Sequence, residues 1–208
     1  HGSDATHMET SAVRDGDGWI LNGEKTWNTG IHRAHSDMIL ARTSGGPGDG
    51  HGITAFLTPM DADGLVIEEY LWTFNMPTDH GRVSLTDVRL PDSAILGEEG
   101  RGLQIAQHFF NENRIRQAAS SLGAAQYCIN ESVAYTRDRK PFGKPLSINQ
   151  AIQFPLAELQ TECEMLRALV HKTAWQMDAY GAFSVSDKVS MCNYRANRLC
   201  CDAADRAM

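Results

Sequence analysis

The sequence predicts an α+β protein with its two kinds of structure segregated along the chain. A small antiparallel β-sandwich or barrel is expected over residues 1–97. An up-down α-helical bundle is expected over residues 98–208, and the whole reads as truncated at both ends. Three observations predict this. Short alternating runs broken by turn residues fill the chain from Ala12 to about Leu96. Apolar residues recur at helical spacing from Leu103 onward. Between the two lies the Gly-rich loop "GEEGRG", Gly97 to Gly102.

Taken in order, Asp15-Gly16-Asp17-Gly18 separates two alternating runs and predicts a β-hairpin. Asn22-Gly23 predicts a second tight turn. Asp37 to Thr43 reads as a buried strand, followed by the flexible loop "SGGPGDGHG". Further strands are expected from Ile53, from Leu65 and from Gly81, the last with one wet face. Asp79-His80 falls just before that last strand and reads as ordinary turn chemistry.

In the second half, Leu103, Ile105, Ala106, Phe109, Phe110, Ile115, Ala118, Ala119, Leu122 and Ala125 define a first helix reaching about Tyr135. A second is expected from about Ile148 to Ala179, and a third from near Ser184. The hairpin between the first two is Thr136 to Gln150. There Pro141 and Gly143 end one helix. Ser147 offers an N-cap for the next, with Gln150 at the capping-box position. Arg137, Arg139, Lys140 and Lys144 crowd this turn, in a chain whose formal charge is −7. The cluster reads either as a solvated turn or as a grip for phosphate, for which arginine supplies a rigid fork.

Composition narrows the class. The acidic balance and the lack of a long basic run exclude a nucleic-acid surface. No apolar stretch reaches the length of a membrane span, and the opening "HGSDATHMET" has no apolar core of a secretory signal. Cys128, Cys163, Cys192, Cys200 and Cys201 are odd in number and form no C-x-x-C pair. They read as small core residues in a reducing compartment.

The stretch "RDRKPFGKPLSINQAIQFPLAEL" resembles the R-x-x-F-G-x-x-[ILV]-x-x-x-Q signature of the acyl-CoA dehydrogenase family, where the second helix of the C-terminal domain begins. "EKTWNTG" is similar to that family's G-x-K-x-W-[IN]-[TS]-[NG] segment. "NMPTDHGRVSLTDVRLP" resembles the passage leaving its β domain. Gly2-Ser3-Asp4-Ala5 resembles the end of its E-P-x-x-G-S-D loop, although His1-Gly2-Ser3 also reads as a cloning remnant.

The resemblance implies FAD as cofactor. Trp27 would wall the flavin ring, beside Asn28, and Thr29 would place its hydroxyl near flavin N5. On residue type alone Trp27 reads as a core tryptophan and Thr29 as a surface strand residue. Arg139, Phe142, Asn149 and Gln150 would hold the diphosphate and adenosine end, from a neighbouring subunit. Ser3, Asn111, Asn113 and Arg114 would touch the acyl-CoA substrate; Arg114 also reads as solvent-facing or paired with Glu112. No catalytic residue is assigned, because Asn113 stands where some members carry a glutamate base and other members place it beyond the third helix.

The implied parent reaction is α,β-dehydrogenation of an acyl-CoA thioester with hydride transfer to flavin N5. Electrons would pass to an electron-transfer flavoprotein or similar acceptor. The parent is expected to be a homodimer or homotetramer in bacterial cytoplasm or in a mitochondrial or peroxisomal matrix, and the isolated segment to be inactive. An oxidase passing electrons to oxygen, and a non-catalytic scaffold retaining the fold, are the alternatives.

Overall fold

The computed structural model describes residues 2–73 and 76–208, the side chains of residues 76–79 excepted. The chain forms two compact units, His1–Gln107 and His108–Met208.

The first unit carries β1 (Ser11–Asp15), β2 (Gly18–Thr29), β3 (Ser36–Arg42), β4 (Ile53–Pro59), β5 (Leu65–Thr73) and β6 (Met76–Pro91). They form one sheet in the order β4-β3-β1-β2-β6-β5. The Asp15–Gly18 hairpin is present, with Gly16 at φ 62 in the turn. The sheet is mixed, which corrects the wholly antiparallel expectation at one pair: β1 and β3 run parallel where Ser11 meets Arg42. The reason is topological. The free side of β2 is taken by β6, so β3, reversing direction after β2, must line up beside β1.

Trp19 on β2 and Phe56 on β4 stand three strands apart, about 14 Å in a flat sheet. Their rings meet edge to face at 5.6 Å, so the sheet curls over on itself. Inside the curl lie Ala12, Trp19, Leu21, Ile39, Ala41, Phe56, Val83, Leu85, Val88 and Leu90. Trp19 satisfies its one polar atom by donating from Nε1 to Asp92 Oδ1 at 2.8 Å.

Asn22-Gly23 is not a turn. Both residues lie inside β2, where Thr86 and Asp87 of β6 oppose Asn22 alone. The Asn22 side chain binds this bulge: Oδ1 accepts from the Asp87 backbone at 2.9 Å, and Nδ2 donates to Asp87 Oδ1 at 3.0 Å. Asp87 takes φ 52, which the short polar side chain tolerates. Gly23 is required beside it, since a Cβ there would come within 2.7 Å of Thr10.

The second unit is built from α1 (Gly102–Asp138), α2 (Gln150–Tyr180) and α3 (Ser186–Ala207). Each contributes an apolar stripe of the same spacing. These are Ala118, Leu122, Ala125 and Ile129 on α1, then Leu159, Cys163, Leu166 and Val170 on α2, then Cys192, Ala196, Leu199 and Ala203 on α3. Neighbouring helices run antiparallel. Thr136 lies near Ile152 at the turn, and Gln126 meets Gln160 at 2.7 Å farther along. Glu162 faces Arg195, while Thr173 faces Cys192. Small residues at Ala118, Ala125 and Ala196, all fully buried, permit this close packing.

The N-cap expectation at Ser147 is corrected. Ser147 sits in a 3-10 turn, and Asn149 caps α2 by accepting from the Ala151 backbone at 3.0 Å. Pro145 fixes the extended entry to that turn, which delays the helix start by two residues. All five cysteines are free, and Cys163 and Cys192 are buried. Cys201 is exposed, which corrects its reading as a core residue, because it falls on the outer face of α3. Among the described residues no helix is long and apolar enough to cross a membrane.

Candidate functional site

The end of β2 gathers most of the residues singled out in the first unit. Thr26 pairs with Arg82 and Asn28 with Gly81, so Trp27 is an extra residue that bulges from the strand. It takes φ 67, a region that costs a bulky side chain on the order of 1–2 kcal/mol. Its indole is 55% exposed, whereas Trp19 is 3% exposed. Trp19, then, is the core tryptophan, and Trp27 holds an apolar face out toward solvent.

Its neighbours fix that pose. The His80 ring meets Trp27 nearly edge-on, 6.0 Å between centroids and 68° between planes. Thr29 Oγ1 lies 3.0 Å from His80 Nδ1. Asn28 turns its amide the other way, donating from Nδ2 to Asp37 Oδ2 at 2.6 Å. Burial pushes the Asp37 carboxyl above the usual carboxylate range, and the Asn28 bond and Lys25 charge oppose that push. Burial lowers the Lys25 ammonium to about 8, with Asp37 pulling the other way.

The turn reading of His80 is corrected: it lies within β6, opposite Thr29 and Leu71. The register links residues 51 positions apart, and no local pattern in the sequence reveals it. The Asp79 side chain and His1 lie outside the described residues.

At the N-terminus, Asp4 caps a 3-10 turn, Ala5–His7, by accepting from the Thr6 backbone at 3.0 Å. Bonds from Thr6 hold its carboxyl below the usual range. Arg42 ties the loop 44–52 to this turn, donating to the carbonyls of Thr6, Ser44 and Asp49. Ser3 is exposed just ahead of the turn.

In the second unit, Asn111 is 2% exposed and accepts from Arg114 Nη1 at 3.3 Å, one helical turn away. Asn113 is exposed and accepts from Arg116 instead, so the structure separates it from that pair. Glu112 faces His108 rather than Arg114.

The basic turn after α1 is exposed. Leu146 N–H donates to Arg139 O at 2.9 Å and closes the loop. Phe142 takes φ 54 and is fully exposed. Arg139, Asn149 and Gln150 are exposed beside it. Arg139 has no ion pair among the described residues. The Asn149 oxygen is engaged as the helix cap. Below the turn a groove of about 720 Å³ between α1 and α2 is lined by Asn130, Thr136, Arg137, Ser147 and Gln153, among others.

Chemically, the strand end offers a flat apolar face beside a hydroxyl, which suits a planar heteroaromatic ring. The turn offers an unpaired guanidinium beside a bare aromatic ring, which suits phosphate joined to a base. Among the described residues no group of carboxylates, histidines and cysteines is arranged to hold a metal ion.

The family model for the acyl-CoA dehydrogenase middle domain matches residues 1–88, and the model for the acyl-CoA dehydrogenase C-terminal domain matches residues 100–208. A probable acyl-CoA dehydrogenase, FadE2, of Mycobacterium tuberculosis is 32% identical over 99% of this chain and 52% of its own length. The human short-chain specific acyl-CoA dehydrogenase, mitochondrial, is 36% identical over 86% of this chain and 43% of its own length. Butyryl-CoA dehydrogenase from Megasphaera elsdenii superposes with a TM-score of 0.91 at 30% identity, covering 99% of this chain and 54% of that one. A glutaryl-CoA dehydrogenase from Mycobacterium smegmatis in complex with FADH2 superposes at 0.84 and 32% identity, covering 97% and 50%. The chain thus spans about half the length of the curated relatives it matches.

Proposed function

Because the chain belongs to the acyl-CoA dehydrogenase family, we propose that its whole protein is an FAD-dependent enzyme that dehydrogenates an acyl-CoA thioester between its α and β carbons. The observation that carries this reading is the end of β2, where an indole is held outward at a costly backbone angle beside an anchored hydroxyl. A side chain with only a structural duty would not be kept exposed in that conformation.

FAD, when bound, supplies the hydride acceptor. Trp27 would form an apolar wall against the flavin ring and keep water from it. Thr29 would present its hydroxyl to the N5 edge. Asn28, expected at the cofactor, is bonded to Asp37 and is better assigned to fixing the bulge around Trp27. Arg139 and Phe142 would grip the diphosphate and adenosine of a second subunit's cofactor, with Gln150 and the amide group of Asn149 nearby. Arg114, steadied by Asn111, would bind the acyl-CoA together with Ser3. Asn113 is a weaker candidate, since it faces Arg116. No residue of this chain is assigned as the base, because Asn113 cannot take a proton.

An oligomer, a homodimer or homotetramer, follows from the second-subunit role of Arg139. The exposed Phe154, Met165, Trp175 and Met191 of α2 and α3 support it. An electron-transfer flavoprotein or similar carrier is the proposed acceptor, and bacterial cytoplasm or an organelle matrix the proposed setting. The test is anaerobic addition of acyl-CoAs of graded length to the full-length protein. Bleaching of the visible flavin band by at least one thioester is expected, and an unchanged spectrum across the series contradicts the reading.

A further inference from the structure

Thr29 and His80 form a directly opposite pair across β2 and β6, with Oγ1 and Nδ1 3.0 Å apart. An isolated threonine hydroxyl turns freely and presents donor or acceptor without preference. The imidazole removes that freedom in one of two ways. A bare Nδ1 accepts the hydroxyl hydrogen and leaves oxygen lone pairs facing outward. A protonated Nδ1 donates to Oγ1 and turns the hydroxyl hydrogen outward. Among the described residues Thr29 Oγ1 has no other hydrogen-bond partner, so its remaining valence is free for a ligand.

His80 is in turn held fast. Its ring meets the edge of Trp27, and its backbone pairs with both Thr29 and Leu71. The adjacent Gly81 leaves room for the buried Ile31 side chain, since a Cβ there would approach Ile31 Cγ2 to 2.7 Å. One imidazole therefore touches both side chains assigned above to the flavin ring.

Resting on the flavin reading above, we propose that His80 is a positioning residue that sets the hydrogen-bond polarity of the Thr29 hydroxyl toward flavin N5. Oxidised N5 accepts a hydrogen bond, whereas reduced N5–H donates one. A hydroxyl serves both forms only when its hydrogen can be turned on demand. Nδ1, donor or acceptor by tautomer, backs the hydroxyl in either orientation, whereas an aliphatic residue at position 80 leaves it unbacked in both. His80 acts through Thr29 and need not touch the flavin.

The experiment compares wild type, Thr29→Ala, His80→Leu, the double variant and His80→Asn in the full-length flavin-loaded protein. The readout is the ratio of oxidised to reduced flavin at a potential fixed by a reference dye. His80→Leu and Thr29→Ala should each shift the ratio about 10-fold, the equivalent of one hydrogen bond to a polar partner. The double variant should shift it no further, because the two act as one unit. His80→Asn, whose side-chain amide reaches the place of Nδ1, should restore most of it.

In the flavin-free protein, Thr29→Ala should also move the ¹⁵N resonance of His80 Nδ1. Flavin bound with an unaltered ratio in His80→Leu overturns this role while the flavin reading stands, as does an additive double variant. A full-length protein that takes up no flavin overturns both. An unmoved Nδ1 resonance removes the pair itself.

Discussion

Among the described residues, two aromatic ones, Trp27 and Phe142, occupy the left-handed backbone region, and their surroundings differ. Trp27 at φ 67 sits in a sheet bulge with His80 against its ring, Asn28 tied to Asp37 on one side and Thr29 tied to His80 on the other. Phe142 at φ 54 sits in a turn after α1, fully exposed. The first is organised by its own unit. The second carries the same kind of strain, held by backbone bonds of its own turn: Gly143 N–H to Lys140 O, Lys144 N–H to Pro141 O and Leu146 N–H to Arg139 O. Among the described residues no ring contacts its side chain. The contrast separates two ways of preparing a site. The strand end is finished before any ligand arrives. The turn leaves its charge and aromatic surface exposed.

The largest effect expected from that contrast is on cofactor affinity. Arg139→Ala should weaken FAD binding to the full-length protein about 30-fold, the loss of about 2 kcal/mol of charge-assisted bonding. Thr29→Ala should weaken it by no more than about 3-fold, because its bond is spent on reactivity rather than retention. Equilibrium dialysis against FAD measures both, and the reverse ranking would break the comparison.

Of comparable size is a pH effect confined to the strand end. Burial lowers Lys25 from an ordinary 10.5 to about 8. Between those values the unfolded chain holds a proton that the folded chain has lost. Stability therefore rises with pH across that window, by on the order of 1–3 kcal/mol. Lys25→Met should flatten the rise in urea melts taken from pH 8 to pH 10.5. A rise that survives the substitution assigns it to another group.

The smallest effect concerns backbone strain itself. Phe142→Gly should stabilise the ligand-free protein by up to about 1 kcal/mol, since glycine adopts its φ without penalty. Trp27→Gly should not stabilise, because it also removes the ring contact with His80. Thermal melts of the two variants sharpen the comparison if they move in opposite directions.

Periodicity made most of the fold legible. The stripes Ala118, Leu122, Ala125 and Leu159, Cys163, Leu166 are visible as spacing, and the helices begin and end within a few residues of where spacing puts them. Features that depend on distant register were not legible. Asn22-Gly23 has the composition of a turn, yet β6 arrives opposite it and converts it into a bulge. Ser147 has the chemistry of a cap, yet Pro145 holds the chain extended and Asn149 takes the duty.

In the candidate site, the resemblance singled out Trp27, Thr29 and Arg139. Coordinates add which of them are exposed, strained or unpaired. The partnership of His80 with Thr29 was hidden because 51 residues of chain separate them. The bond of Asn28 to Asp37 was hidden because β2 and β3 are not neighbours in the sheet. Both depend on how the sheet curls, which residue types alone do not state.

The account turns on where the flavin ring lies, and fluorescence of the bound cofactor reports it most directly. An indole in contact with a flavin quenches its emission by electron transfer. In the FAD-loaded full-length protein, Trp27→Leu should brighten flavin emission several-fold, while Trp175→Leu, an exposed indole of the helical unit, leaves it dim. Equal emission from wild type and Trp27→Leu would place the ring away from the end of β2 and contradict the account.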